Sequence, residues 1–117
     1  MTPDEAKDAY SRAMDVAGEA IVIRRYTGTG QGRPFFDASV RARVVDYEPH
    51  EIIGAIKQGD RKLIVLAEDM IAAQIPLDLH NGDKAVVRGK ELNIEAADDS
   101  TRRMQGVLIA YELQVRG

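Results

Sequence analysis

Phe36-Asp37-Ala38-Ser39-Val40-Arg41-Ala42-Arg43-Val44 alternates apolar and polar side chains at every step. A period of two is the signature of an extended strand that buries one face and wets the other. Read this way, Phe36, Ala38, Val40, Ala42 and Val44 point to a core and Asp37, Ser39, Arg41 and Arg43 point to water. An antiparallel sheet accommodates such a strand; a parallel one, covered on both faces, does not.

Upstream lies the β-branched run 20–26, ending in Thr27-Gly28-Thr29-Gly30-Gln31-Gly32-Arg33-Pro34, a turn-rich connection between two strands. Further upstream the period changes to 3.6. Thr2-Pro3-Asp4-Glu5 is a helix start, with Thr2 as cap, Pro3 in the first turn and Glu5 closing a capping box. Ala6, Ala9, Tyr10, Ala13, Met14 and Ala17 then form one apolar stripe, which predicts a helix over residues 3–17 with Gly18 as its stop. The stripe is small and Ala-rich, suited to close docking onto a sheet or a neighbouring subunit.

Downstream, residues 63–67 predict a strand apolar on both faces, and residues 68–74 a helical turn cut off before Pro76. Asn81-Gly82-Asp83 introduces Ala85-Val86-Val87, and Gly89-Lys90 turns into Leu92, Ile94 and Ala96, a hairpin by its spacing. After the polar turn Asp98-Asp99-Ser100-Thr101, the residues Val107, Ile109, Tyr111, Leu113 and Val115 predict a long closing strand. Residues 48–60, with Pro49, His50 and Gly54 inside, fit a strand, a short helix or a projecting loop. The expected fold is mainly β: a small antiparallel barrel or sandwich of about six strands, residues 19–117, behind an N-terminal α-helix, residues 1–18, in a single domain.

Composition narrows function. The chain has 117 residues, 44% of them hydrophobic and 30% charged, which is globular usage. The absence of cysteine removes disulfides, thiolate metal sites and thiol catalysis. A formal net charge of −3 disfavours a duplex-binding basic protein, and 5% aromatics disfavour a stacking platform for single strands. The start of the chain is acidic and lacks the apolar run of a signal peptide, so synthesis in the cytoplasm is expected. No apolar stretch approaches the ~20 residues that span a bilayer.

The candidate chemical motifs are thin. The loop Gly28, Thr29, Gly30, Gln31, Gly32, Arg33 resembles a phosphate cradle, but a strand follows it where a P-loop needs a Lys-Ser/Thr and a helix start. His50 and His80 stand thirty residues apart with no metal-ligand spacing around them. No catalytic residue, metal or cofactor is therefore assigned, and an enzyme is not expected. Charge is distributed unevenly. Residues 24–43 hold Arg24, Arg25, Arg33, Arg41 and Arg43 against Asp37 alone. Residues 1–20 hold two bases and five acids, and residues 68–83 hold Glu68, Asp69, Asp78 and Asp83 with no Lys or Arg. Such segregation suits a head-to-tail interface between copies. The basic surface Arg24, Arg25, Arg41 and Arg43 is also the basis of an alternative, a small barrel that binds nucleic acid through an arginine-rich hairpin.

Gly59-Asp60-Arg61-Lys62-Leu63-Ile64-Val65-Leu66, then Asn81-Gly82-Asp83-Lys84, then Gly89-Lys90-Glu91-Leu92-Asn93-Ile94, and finally Ala110-Tyr111-Glu112-Leu113-Gln114-Val115-Arg116-Gly117 occur in an order that resembles the head–tail joining proteins of tailed phages, also found in prophages and gene transfer agents. In that family a Gly-Asp turn precedes a short strand, a second glycine opens a hairpin, and a long terminal strand closes a barrel. The resemblance covers residues 19–117. It implies a structural virion protein, a connector component that forms a ring with copies of itself and contacts portal or adaptor proteins and tail proteins. It further implies non-specific proximity to DNA in the channel, no membrane, no catalytic residue, and a working place in the virion after synthesis in the bacterial host cytoplasm. The loop Thr27 to Pro34 is then the candidate interface element, with residues 48–60 as a second.

Overall fold

The computed structural model describes residues 1–27, 30–32, 34–54, 56–75, 79 and 82–117. Helix α1 spans Pro3–Ala17 and strand β1 Glu19–Tyr26. Strand β2 spans Phe35–Asp46, β3 Arg61–Leu66, and a short helix α2 Ala67–Ala72. Then follow β4 Lys84–Val87, β5 Lys90–Asp98, β6 Arg103–Met104, β7 Val107–Leu108 and β8 Ala110–Arg116. Six of these strands close an antiparallel barrel in the order β1-β2-β3-β8-β5-β4, and β6 and β7 form a separate small hairpin. The mainly β barrel with one N-terminal helix is as the alternation of residues 36–44 predicts.

The inward residues of the six strands make one core. Ile21 and Ile23 of β1 meet Val40 and Ala42 of β2, Leu63 and Val65 of β3, Ala85 and Val87 of β4, Leu92 and Ile94 of β5, and Leu113 and Val115 of β8. Leu63, Val65, Ala85, Ile94 and Leu113 have no exposed surface at all. Each buried Val, Leu or Ile side chain stabilises the fold by about 1.5–3 kcal/mol relative to an exposed one. Helix α2 closes one mouth of the barrel, where Met70 is fully buried and Ile75 and Leu79 join the same core.

Local chemistry explains the elements. Thr2 Oγ1 accepts from the Glu5 amide at 3.2 Å, and the Glu5 carboxylate accepts from the Thr2 amide at 3.2 Å, which completes the capping box. Arg88 and Gly89, with φ of 52° and 80°, link β4 to β5 in the left-handed backbone that a two-residue hairpin turn requires. Gly18 stops α1 for a different reason from the one glycine usually supplies at helix ends. Its φ is −83°, open to any residue, but a Cβ there would lie 2.6 Å from the Met14 carbonyl oxygen and 2.5 Å from its sulfur.

Three expectations change, and one left open is resolved. Phe36 does not join the core; it is 43% exposed because β2 begins in a two-stranded arm with β1, beyond the closed barrel. Ala96 does not share a face with Leu92 and Ile94. The register with β8 shifts between Ile94 and Ala96, so Ala97 packs on the core while Ala96 is exposed. The closing strand is interrupted at Ile109, with Val107 in the small hairpin and Ala110–Arg116 in the barrel. Residues 48–60 form a loop carrying one 3₁₀ turn, Pro49–Glu51; Ala55 lies outside the described residues.

Candidate functional site

The β1–β2 arm and the outer face of α1 both carry exposed apolar side chains, as do Ile53, Ile71 and Val107 elsewhere. The arm runs from the pair Arg24↔Asp37 to the pair Tyr26↔Phe35. No core supports it, yet its root is densely clamped. Arg24 donates through Nε and Nη2 to both Asp37 oxygens at 2.8 and 2.9 Å, and through Nη1 to Glu91 at 2.8 Å. The Tyr26 hydroxyl donates to the same Glu91 oxygen at 2.7 Å. On the other face of the arm, Arg25 donates twice to Asp83 at 2.8 Å, and Asp83 is 1% exposed. The Arg24 guanidinium lies 4.3 Å over the Phe35 ring, and Tyr26 meets that ring edge-on at 5.7 Å. Phe35 nevertheless remains 51% exposed. At the tip, the Thr27 amide donates to the Pro34 carbonyl at 2.9 Å.

These contacts set the local acidities. Hydrogen bonds from Arg24 hold Asp37 below the usual carboxylate range, and bonds from Tyr26 and Arg24 do the same for Glu91. The same partners raise Arg24. Arg24, Asp37 and Glu91 are thus all charged at neutral pH.

The sequence-derived interface loop falls on this arm only in part. Thr27, Gly30, Gln31 and Gly32 are exposed at its tip, with Gly30 and Gly32 at φ of 85° and 76°. Gly28, Thr29 and Arg33 lie outside the described residues, as do His80 and Asp78. The candidate basic surface is not one surface. Arg24 and Arg25 clamp the arm. Arg41 donates to Asp69 of α2 at 2.9 and 2.8 Å and to Asp15 of α1 at 2.6 Å, tying both helices to β2. Donating to Asp69 raises the Arg41 pKa above its ordinary value. Arg43 alone of these four is exposed with no hydrogen-bond or ion-pair partner among the described residues. His50 is exposed in the 3₁₀ turn.

Sequence reasoning missed the groove beside Arg43. Only Ala6 and Met14 of the α1 stripe are buried, whereas Ala13 and Ala17 remain exposed. Met14 packs with Leu66 and Ala110 on the outer wall of the barrel, and Tyr10 and Ile64 border that cluster. Between helix and wall lies an apolar groove of about 310 Å³ lined by Tyr10, Ala13, Met14, Ala17, Arg43, Ile64 and Arg102. Arg102 is held there by the Tyr10 hydroxyl at 2.8 Å and Glu112 at 3.1 Å. The signal was present as an alanine stripe longer than its contact with the barrel requires.

The loop at the far mouth is pinned by Asp60, 4% exposed, which accepts two bonds from Arg116 at 2.8 Å, one from Gln114 at 2.9 Å and one from the Lys57 amide at 3.0 Å. The Arg116 guanidinium, with these further donors, pushes Asp60 far below the ordinary aspartate value. Among the described residues, no group of three or more His, Asp or Glu is placed to hold a metal ion, and no helix is long and apolar enough to cross a membrane. No family model matches the chain, and no curated protein matches it.

Proposed function

We propose that this chain is a structural connector component of a tailed phage or prophage particle, assembling as a ring of copies between head and tail. The observation that carries the reading is the clamped arm: a rigid projection with half-exposed aromatic rings, held by ion pairs rather than by a core. A projection of this kind is preorganised to bury its rings against another surface. Pairing of β1 with β4 closes the barrel, and the exposed rings of the arm beyond it offer a side-chain surface for association. The resemblance of residues 19–117 to head–tail joining proteins supplies the biological setting.

The nucleic-acid alternative draws little support from the arginines. Arg24, Arg25 and Arg41 each meet carboxylates within the chain, and a guanidinium so engaged releases few counterions from a phosphate backbone.

Deleting the gene from the element that encodes it tests the proposal. Electron microscopy should then show filled heads and finished tails accumulating apart, with the wild-type gene restoring joined particles. A copy lacking residues 28–32 should fail to restore them while the purified protein keeps its melting temperature. Normal particles without the gene refute the connector reading.

A further inference from the structure

We propose that the α1 groove of one copy receives Phe35 from the arm of a neighbouring copy, so that the chain associates head to tail through an arm-in-groove contact; this rests on the connector reading. The two elements are chemically matched. A cavity of ~150 Å³ lined by apolar side chains holds a benzene ring, and the groove offers about 310 Å³. Ala13 and Ala17 are small and leave room, Met14 and Tyr10 line the same groove, and thioethers and aromatic rings both favour a phenyl guest. At the rim Arg43 has no carboxylate partner among the described residues. A guanidinium in that position is complementary to the negative face of an aromatic ring.

The arm presents the other half of this match. Phe35 is stacked by Arg24 and met by Tyr26, and is still 51% exposed. Asp37 lies two residues away on the same face of β2, its side chain 34% exposed, and offers Arg43 a carboxylate next to the ring. Phe36 faces the opposite way, beside Arg25 in the register. The arm's clamp runs through Glu91 of β5 and through Asp83 just before β4, whereas the groove lies over β2 and β3. Arm and groove are therefore on different sides of one barrel, and their contact is heterologous. Heterologous contacts generate rings when the rotation closes.

The test uses full-length chains carrying a defect in one partner surface only. Phe35→Ala removes the arm's ring; Arg43→Glu and, separately, Ala17→Trp spoil the groove. All alter exposed residues, and thermal melts confirm that each variant is folded. Sedimentation velocity should show the wild type associating at concentrations on the order of 100 µM, as an interface below standard size implies. Phe35→Ala and Arg43→Glu should each weaken association at least tenfold, while Phe36→Ala leaves it unchanged. Mixing Phe35→Ala with Arg43→Glu should give one-to-one dimers that grow no further, because one intact arm meets one intact groove. Wild-type-like association by both defective chains, or a mixture that stays monomeric, overturns the contact and leaves the connector reading to the particle experiment. A wild type that remains monomeric at millimolar concentration overturns it too.

Discussion

Breaking the Arg25–Asp83 pair should cost more from the arginine side than from the aspartate side. The two guanidinium bonds are both 2.8 Å, but burial is unequal: the Asp83 side chain is 1% exposed and that of Arg25 is 25% exposed. Removing one partner of a buried pair costs about 3–5 kcal/mol when it strands a charge out of water. Arg25→Met takes both guanidinium bonds away from the buried Asp83 carboxylate, so its cost belongs within that range, about 4 kcal/mol. Asp83→Ala leaves a guanidinium with a path to solvent, and its cost falls nearer the ~1.5–3 kcal/mol of a charge-assisted hydrogen bond. The double variant should cost less than the sum of the two, with a coupling of about 2 kcal/mol. Urea unfolding at pH 7 measures all four corners of the cycle. Strict additivity, or an aspartate variant less stable than the arginine variant, refutes this account of the clamp.

Gly18→Ala should destabilise by about 1–3 kcal/mol, since the new Cβ collides with backbone at Met14 and must displace the end of α1; a thermal melt unchanged within a degree contradicts that. Asp60 is depressed below its unfolded value, so its contribution is present at neutral pH and disappears as pH falls through the folded value, well under 4. Asp60→Asn should therefore lower the urea midpoint at pH 7 and reduce the acid sensitivity of that midpoint below pH 4. Duplex DNA should bind weakly and without sequence preference in fluorescence anisotropy, with a shallow salt dependence; tight binding abolished by Arg43→Glu alone would revive the nucleic-acid reading.

What the linear sequence shows, and what it hides, divides along contact distance. The α1 capping box, the alternation of β2 and the β4–β5 turn depend on residues within a few positions of one another, and each is legible by spacing. The arginine partners are not. Arg25 finds Asp83 58 positions away, Arg24 finds Glu91 67 positions away and Arg41 finds Asp69 28 positions away, so a run that reads as a basic patch is largely neutralised once the barrel closes. The bulge at Glu95 is hidden for another reason. Alternation continues through Leu92, Ile94 and Ala96, and only the register against β8 shows that the phase changes, leaving Glu95 to meet Arg116 at 2.6 Å. Phe36 obeys its alternation and still misses the core, because the pattern records the face of a strand and not where the barrel ends.

The seam between β1 and β4 also sets an order of events during synthesis. Val22 pairs with Val86, so the closing ladder joins segments 64 positions apart, while β1 finds β2 across a single connection. Until residue 87 has left the ribosome, the β1–β2 hairpin exists with the outer edge of β1 uncovered, its backbone amides and carbonyls available to any strand that meets it. Closure of such a long loop is the slow, entropically opposed step expected of a high-contact-order fold. Arg24 and Arg25 stand at the end of β1, and Glu91 and Asp83, which pair with them in the finished barrel, follow 67 and 58 positions later. The clamp that locks the arm is therefore completed only when the barrel closes, although its Arg24–Asp37 half lies within the first hairpin.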